Sequence, residues 1–330
     1  MEYFLEVTKN TRIDEFLHQL NNNTLVIYSP TSLKKLKGFK LNASMIDWHT
    51  ISKNTETIQE IMDKYQYVDE IVSFGGGSTI DIAKYISYKL NKRHICIPSM
   101  LSTNTYATNK VALLVEGKKI TLDAKMPDLI LLDNDFLRKS PEENLFGFAD
   151  VLSIHTALYD WKIANQTINE KIDNNVYEMA KNLLEKAKLY IEINNYDMIE
   201  YDVENLYKFI GEAGYITNLY GTGRPESGSE HIFAKELESI LDVPHGLSVS
   251  IGIILMTMLQ MREEDEIVEL IRKIKVLDYS KKYNITVNEI RQAFLNLKPR
   301  ENRFSIVDIN NENISFKEQI LKEFIKKQII

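Results

Sequence analysis

A single cysteine, Cys96, stands among 330 residues, which excludes an internal disulfide and makes a reducing compartment, the cytoplasm, the expected setting. Basic charge is short as well. Forty Lys and Arg against 47 Asp and Glu leave a formal net charge of −7, which argues against nucleic acid or an anionic membrane as the main partner. The basic cluster Lys322, Lys326 and Lys327 has helical spacing and suits a solvated helix face. Long apolar runs are missing: Leu129 to Leu132 and Val249 to Met258 are too short or too mixed to cross a bilayer, so no membrane partner is expected. The opening Met-Glu-Tyr-Phe-Leu-Glu has no basic region before an apolar core, so no export signal is expected. Internal repeats and low-complexity linkers are absent too.

What remains is an ordinary globular composition, 44% hydrophobic and 26% charged, at a length that suits two domains. The first 140 residues alternate strand-like and helix-like segments. Leu25-Val-Ile-Tyr ends at the turn Ser29-Pro30, Ile71-Val-Ser-Phe runs into Gly75-Gly76-Gly77-Ser78, His94-Ile-Cys-Ile closes at Pro98, and Leu129-Ile-Leu-Leu-Asp is a fourth run. Ile80, Ala83, Ile86 and Leu90 recur at helical spacing between the second and third. This alternation predicts a parallel sheet covered on both faces. Residues 110–122 differ: two β-rich pieces flank Glu116-Gly117, a hairpin expected to project from the sheet. From Ser140-Pro141-Glu142-Glu143 onward the signals are helical, with Ser as N-cap, Pro at the first position and acids in the first turn. Helices are expected over Asn175 to Ile193 and Asp265 to Ile274. The reading is therefore an α/β domain over 1–140 and an all-helical domain over 141–330.

Two places carry chemistry. Gly75-Gly76-Gly77-Ser78-Thr79 lies between a strand and a helix, where glycines let backbone approach a ligand and the free N–H groups of the helix start attract phosphate. Asp81 sits in the first helical turn. The spacing is not G-x-G-x-x-G, so the usual dinucleotide motif is not matched; a bare strand-to-helix turn is the plainer alternative. In the helical half, Asp150 lies near the start of an apolar helix, His231 follows the small-residue turn Ser227-Gly228-Ser229, and His245 stands in Pro244-His245-Gly246. One carboxylate and two imidazoles form a ligand set suited to zinc or iron, with a coordination position left for water or substrate. The spacing of fourteen between the histidines is no local zinc signature, and a lone His beside Gly is ordinarily a turn or packing residue. His18, His49 and His94 show no partner pattern and are expected at the surface. His155, Trp48 and Trp161 read as structural, and Tyr106 as an aromatic at the sheet edge or cleft.

Together, Gly75-Gly-Gly-Ser-Thr-Ile-Asp-Ile-Ala-Lys84, Ile97-Pro-Ser99, Gly147-Phe-Ala-Asp150 and Asp160-Trp161 resemble the dehydroquinate synthase-like and iron-containing alcohol dehydrogenase superfamily. Arg224-Pro-Glu-Ser-Gly-Ser-Glu-His231 is similar to a segment typical of sn-glycerol-1-phosphate dehydrogenases, and Pro244-His245-Gly246 matches a final ligand position of the same group. The resemblance spans about residues 70–255 and implies a Rossmann-like N-terminal domain, a helical C-terminal domain and an active site in the cleft between them. It implies Zn2+, or another divalent metal such as Fe2+ or Ni2+, on Asp150, His231 and His245. It places the pyrophosphate of NAD or NADP on Gly75, Gly76, Gly77 and Ser78, with Ser99, Ser102 and Thr103 running past the nicotinamide end.

The activity implied is a metal-dependent, NAD(P)-linked dehydrogenase interconverting a small ketose phosphate and a polyol phosphate, cytoplasmic and homo-oligomeric. Ser227 and Ser229 would hold the substrate phosphate with Arg224 as a fork-shaped cation. Asn104 falls where the family often has Asp; an amide can hydrogen-bond a substrate hydroxyl but cannot act as a carboxylate base. Leu247 stands where the family often has Glu. Three other readings remain. One is a sugar-phosphate cyclase of the dehydroquinate synthase kind, whose usual basic cluster and Asn-Phe-Gly-His segment are absent. The second is an unphosphorylated-polyol dehydrogenase. The third is a non-catalytic metal- and nucleotide-binding protein. No clear acid ends a second strand to choose between NAD and NADP; Asp47 is a candidate.

Overall fold

A computed structural model describes residues 6–9, 12–36, 43–195, 199 and 201–327. Residues 1–5, part of the stretch read for an export signal, lie outside them. The chain divides into two compact units, Met1–Pro141 and Glu142–Ile330.

The first unit is built on a six-stranded, wholly parallel sheet with spatial order β1-β8-β5-β4-β2-β3. Its strands are β1 (Glu6–Lys9), β2 (Thr24–Tyr28), β3 (Ser44–Asp47), β4 (Glu70–Gly75), β5 (Arg93–Pro98) and β8 (Leu129–Leu132). The central ones are apolar on both faces, as expected of strands covered by helices on each side. Two buried clusters follow. One gathers Leu25, Ile27 and Ile71 with Ile82 and Ile86 of the helix Gly77–Leu90; the other gathers Val26, Val72, Phe74, Ile95 and Ile97 with Ile13 and Leu17. Each such side chain contributes roughly 1.5–3 kcal/mol on full burial. The edge strands β1 and β3 escaped the sequence reading; both are four residues long, too short to show a period.

The hairpin is present as β6 (Lys110–Val115) and β7 (Lys118–Asp123), with positive φ at Glu116 and Gly117, the turn geometry that matches strand twist. It does not simply project. Val111 and Leu113 of β6 are buried in the core beside the helix Gly77–Leu90, while β7 is mostly exposed. His94 is a second correction: it is fully buried on β5, with Nε2 2.9 Å from Ser73 Oγ, because its strand is interior to the sheet.

The second unit is helical among its described residues, with a single isolated bridge between Arg300 and Arg303. The helix His245–Leu259 lies at its centre: every residue after His245 is buried. It packs with the helices Ser229–Ile240 and Pro141–Val151, and the latter joins Asn174–Ile193 and Val203–Tyr220 through Phe148, Tyr190 and Phe209. No helix among the described residues is long and apolar enough to cross a membrane.

Candidate metal centre and nucleotide turn

Two glycines decide where the histidines stand. A Cβ on Gly246 would lie 1.9 Å from the carbonyl oxygen of Phe146, so the start of the helix His245–Leu259 rests directly on the backbone of the helix Pro141–Val151. Asp150 is one turn beyond Phe146, on the same face. A Cβ on Gly252 would lie 2.7 Å from the carbonyl oxygen of Glu230, so the central helix also crosses the helix Ser229–Ile240 in backbone contact, next to His231. Small residues at both crossings thus bring three side chains from three helices to one point.

Ligand atoms of Asp150, His231 and His245 all lie within 4.8 Å of one another. His231 Nε2 is 3.3 Å and His245 Nε2 3.8 Å from Asp150 Oδ1, and the two rings are 5.1 Å apart. Behind each ring stands a carboxylate: Glu230 Oε1 is 2.6 Å from His231 Nδ1, and Glu238 Oε1 is 2.5 Å from His245 Nδ1. An acid at Nδ1 fixes the proton there and leaves Nε2 as the lone-pair atom facing its partners, the arrangement found behind metal-bound histidines. Glu230 is itself held by the Gly228 N–H (2.5 Å) and the Thr156 hydroxyl (2.5 Å).

The electrostatics fit a cation. Asp150 Oδ1 is buried with no hydrogen-bond donor among the described residues. Burial would raise the Asp150 pKa, but the imidazoles of His231 and His245 outweigh it and hold the group below its ordinary value. Burial pulls His231 down, yet Asp150 and Glu230 prevail and hold it at about 9. Left alone, the site keeps a proton on His231 to offset two buried carboxylates. A divalent cation on Asp150 Oδ1 and the two Nε2 atoms would take over that role and displace the proton. One oxygen and two imidazole nitrogens match zinc or iron.

The comparisons with known proteins agree with one another. A family profile described as iron-containing alcohol dehydrogenase matches residues 6–141. Glycerol-1-phosphate dehydrogenase [NAD(P)+] of Methanococcus aeolicus is 30% identical over 260 residues, covering 76% of this chain and 74% of the relative. The enzyme of the same name from Methanococcus vannielii is 30% identical over 274 residues, covering 80% and 78%. The chain belongs to the iron-containing alcohol dehydrogenase family. The fold agrees: a probable glycerol dehydrogenase from Sinorhizobium meliloti superposes with a TM-score of 0.66 at 15% identity, covering 96% of this chain and 97% of that one.

The other residues singled out in this iron-containing alcohol dehydrogenase family member divide into those that face a ligand and those engaged within the fold. Gly75 ends β4 and Gly76 precedes the helix Gly77–Leu90, at the C-terminal edge of the sheet where parallel α/β proteins bind ligands. None of the three has positive φ. Gly75 is demanded by packing, since a Cβ there would lie 2.4 Å from Thr79 Oγ1. Gly76, Gly77 and Ser78 are half-buried, beside Met100, Thr103 and Thr105. The glycine turn and the segment after Ser99 therefore run side by side. Ser102, Thr103 and Asn104 are half-buried there, and Thr103 caps the short 3-10 turn Asn104–Ala107. Lys84, fully buried, donates to the carbonyls of Thr105 (2.6 Å) and Thr108 (2.8 Å) and so fixes that segment; burial lowers its pKa to about 8.

Several of the other candidates have partners within the fold. Ser99 is fully buried, its hydroxyl accepting from Ser32 at 2.7 Å. Asp81 is buried in an ion pair with Lys53 at 2.9 Å. Ser140 donates its hydroxyl to the Ser99 carbonyl. Arg224 is 2% exposed, its Nε 2.9 Å from Glu170 and its Nη2 donating to the carbonyls of Asp160 and Phe304, so its guanidinium is engaged inside the fold. Ser229 is fully buried, its amide donating to Asp160, and Ser227 accepts from Arg303 through its carbonyl. Asp47 caps the short helix after the edge strand β3 and binds its own neighbour His49. Tyr106 is buried. The sequence reading missed Glu230 and Glu238. A signal existed for Glu238: it lies seven residues after His231 on one helix, hence on the same face.

Proposed function

We propose that this protein is a divalent-metal-dependent, NAD(P)-linked dehydrogenase that interconverts a small ketose phosphate and the corresponding polyol phosphate, dihydroxyacetone phosphate and glycerol 1-phosphate being the pair that its relatives' names point to. The observation that carries the reading is the convergence of Asp150 Oδ1 with two imidazole Nε2 atoms, each backed by a carboxylate on Nδ1. The chemistry a divalent cation supplies when bound there is electrostatic, withdrawing charge from a substrate carbonyl or hydroxyl oxygen. The chemistry NAD(P) supplies is the hydride exchanged at the substrate carbon.

The chain's own part is placement. Glu230 and Glu238 hold the Nδ1 protons so that both rings offer Nε2 in one direction. Asp150 supplies the charge that makes the site selective for a cation over a neutral ligand. In the first unit, Gly76, Gly77 and Ser78 open a fourteen-residue helix whose first turn holds no acidic side chain, so its N–H groups and positive dipole end are available to a pyrophosphate. Ser102, Thr103 and Asn104, beside that turn, would offer donors and acceptors along the cofactor.

The test is a cofactor-oxidation assay on zinc-loaded protein with dihydroxyacetone phosphate and NADH or NADPH. One cofactor should be oxidised per ketone reduced, and chelation should stop it. A phosphorylated substrate consumed without net change in cofactor absorbance would instead indicate a cyclase, and turnover of dihydroxyacetone in preference to its phosphate would indicate a plain polyol dehydrogenase.

A further inference from the structure

The second unit holds three guanidinium groups around the turn that precedes His231, and only two are engaged. Arg224 is tied through Nε and Nη2 to Glu170 and to backbone carbonyls, with only its Nη1 buried and unpartnered among the described residues. Arg303 donates from Nη1 to the Ser227 carbonyl at 2.7 Å and reaches that of Gly223 at 3.4 Å. Arg300 pairs with Arg303 through a backbone bridge across Glu301-Asn302, so it is fastened to the same turn. Its side chain is half-buried yet makes no hydrogen bond or ion pair among the described residues.

Partly removing a guanidinium from water without a partner is unfavourable. The carboxylates nearby are each held by other partners. Glu170 serves Arg224, Glu226 accepts from Thr217, Asp160 accepts from the Ser229 and Ile306 amides, and Glu230 is held by Thr156, Gly228 and His231. The position also bears on the metal centre. Burial lowers the Arg300 pKa while Glu230 pulls it back, and burial first, with Arg300 and Arg224 adding to it, lowers Arg303 to about 10. Glu230 is the acid at His231 Nδ1. One planar fork of donors is thus left over, on a segment tied through Arg303 to the turn that precedes His231. A phosphate monoester dianion suits such a fork through paired, charge-assisted hydrogen bonds.

We propose that Arg300, rather than Arg224, binds the substrate's phosphoryl group and sets the preference for a phosphorylated over a plain polyol. The proposal rests on the dehydrogenase reading above. Arg303 is its support, anchoring the turn that carries it, and Arg224 braces the interior.

The test uses full-length, zinc-loaded wild type, Arg300→Gln and Arg300→Lys. Each is assayed on dihydroxyacetone phosphate and on dihydroxyacetone, and titrated calorimetrically with inorganic phosphate. In Arg300→Gln, kcat/KM for the phosphate ester should fall about 100-fold, mostly through KM, consistent with loss of a charge-assisted pair. Activity on dihydroxyacetone and zinc content should stay within about twofold, on the same argument that only a phosphate contact is lost. Phosphate affinity should fall with the ester, and Arg300→Lys should recover part of both. If Arg300→Gln keeps the wild-type preference, or loses both substrates equally, the proposal is overturned while the dehydrogenase reading stands. If the wild type itself prefers dihydroxyacetone, that reading falls instead, and the phosphate titration decides Arg300: unchanged affinity in Arg300→Gln overturns it.

Discussion

Glu238 touches the candidate metal centre only through His245, at 2.5 Å from Nδ1, and lies partly open to solvent. Its work is to keep that ring in one tautomer and one orientation. Replacement by Ala should leave the apo fold intact, because the half-buried acid lies outside the apolar core, but should weaken zinc binding by about 10–100-fold, the range for such outer partners. Competition with a chromophoric chelator measures this, and an unchanged zinc affinity in Glu238→Ala would sink the assignment. His245→Ala, removing a ligand atom itself, should abolish binding in the same assay. At this scale the sequence was informative where a residue's chemistry is rare and its neighbours are small, as at Asp150, His231 and His245. It was uninformative where the outcome depends on burial. Arg224, Ser99 and Asp81 have the right functional groups for a ligand, but distant residues, namely Glu170, Ser32 and Lys53, occupy them. No local pattern announces a partner 28 to 67 residues away.

Among elements, the glycines divide by what they approach. At the turn after β4, a Cβ on Gly76 would meet only Met100, its thioether at 3.2 Å, a flexible neighbour that can give way. At the helix crossing, a Cβ on Gly246 would lie 1.9 Å from a backbone carbonyl, which cannot yield without moving a helix. Gly246→Ala should therefore cost about 1–3 kcal/mol of stability by overpacking, and should also part His245 from Asp150 and impair zinc binding. Gly76→Ala should leave stability and zinc binding near wild type. Denaturant unfolding with zinc titration of both variants checks this; equal behaviour of the two would refute the role given to the crossing. The sequence showed strand-to-helix alternation clearly, since each central strand is a continuous apolar run. It could not reveal the helix crossings, because a glycine in Pro-His-Gly reads as a turn until the opposing backbone is known.

For the molecule as a whole, each unit encloses one neutral histidine, and acid acts on both. Burial pushes His94 in the first unit and His155 in the second down to about 3, well below 6.5. Below pH 6.5 the unfolded chain takes up a proton at each position that the folded chain refuses, so stability falls as pH falls. Each histidine contributes about 1.4 kcal/mol per pH unit until its folded pKa is reached. Asp160 works the other way: burial and the charge of Glu230 raise it to about 6, so between pH 6 and its ordinary value of 3.8 the folded state binds a proton that the unfolded state does not. Two groups against one leave a net loss of about 1.4 kcal/mol per unit from pH 6 to pH 5, above the range in which Glu230 and the other depressed carboxylates begin to add to it. Replacing His94 by Gln, which can still reach Ser73, removes one of the two and should make the stability profile nearly flat over that window, whatever its absolute height. Urea unfolding of wild type and His94→Gln at half-unit steps of pH measures the slopes. If the slopes are parallel, His94 is not the buried neutral group that the interior position of β5 requires.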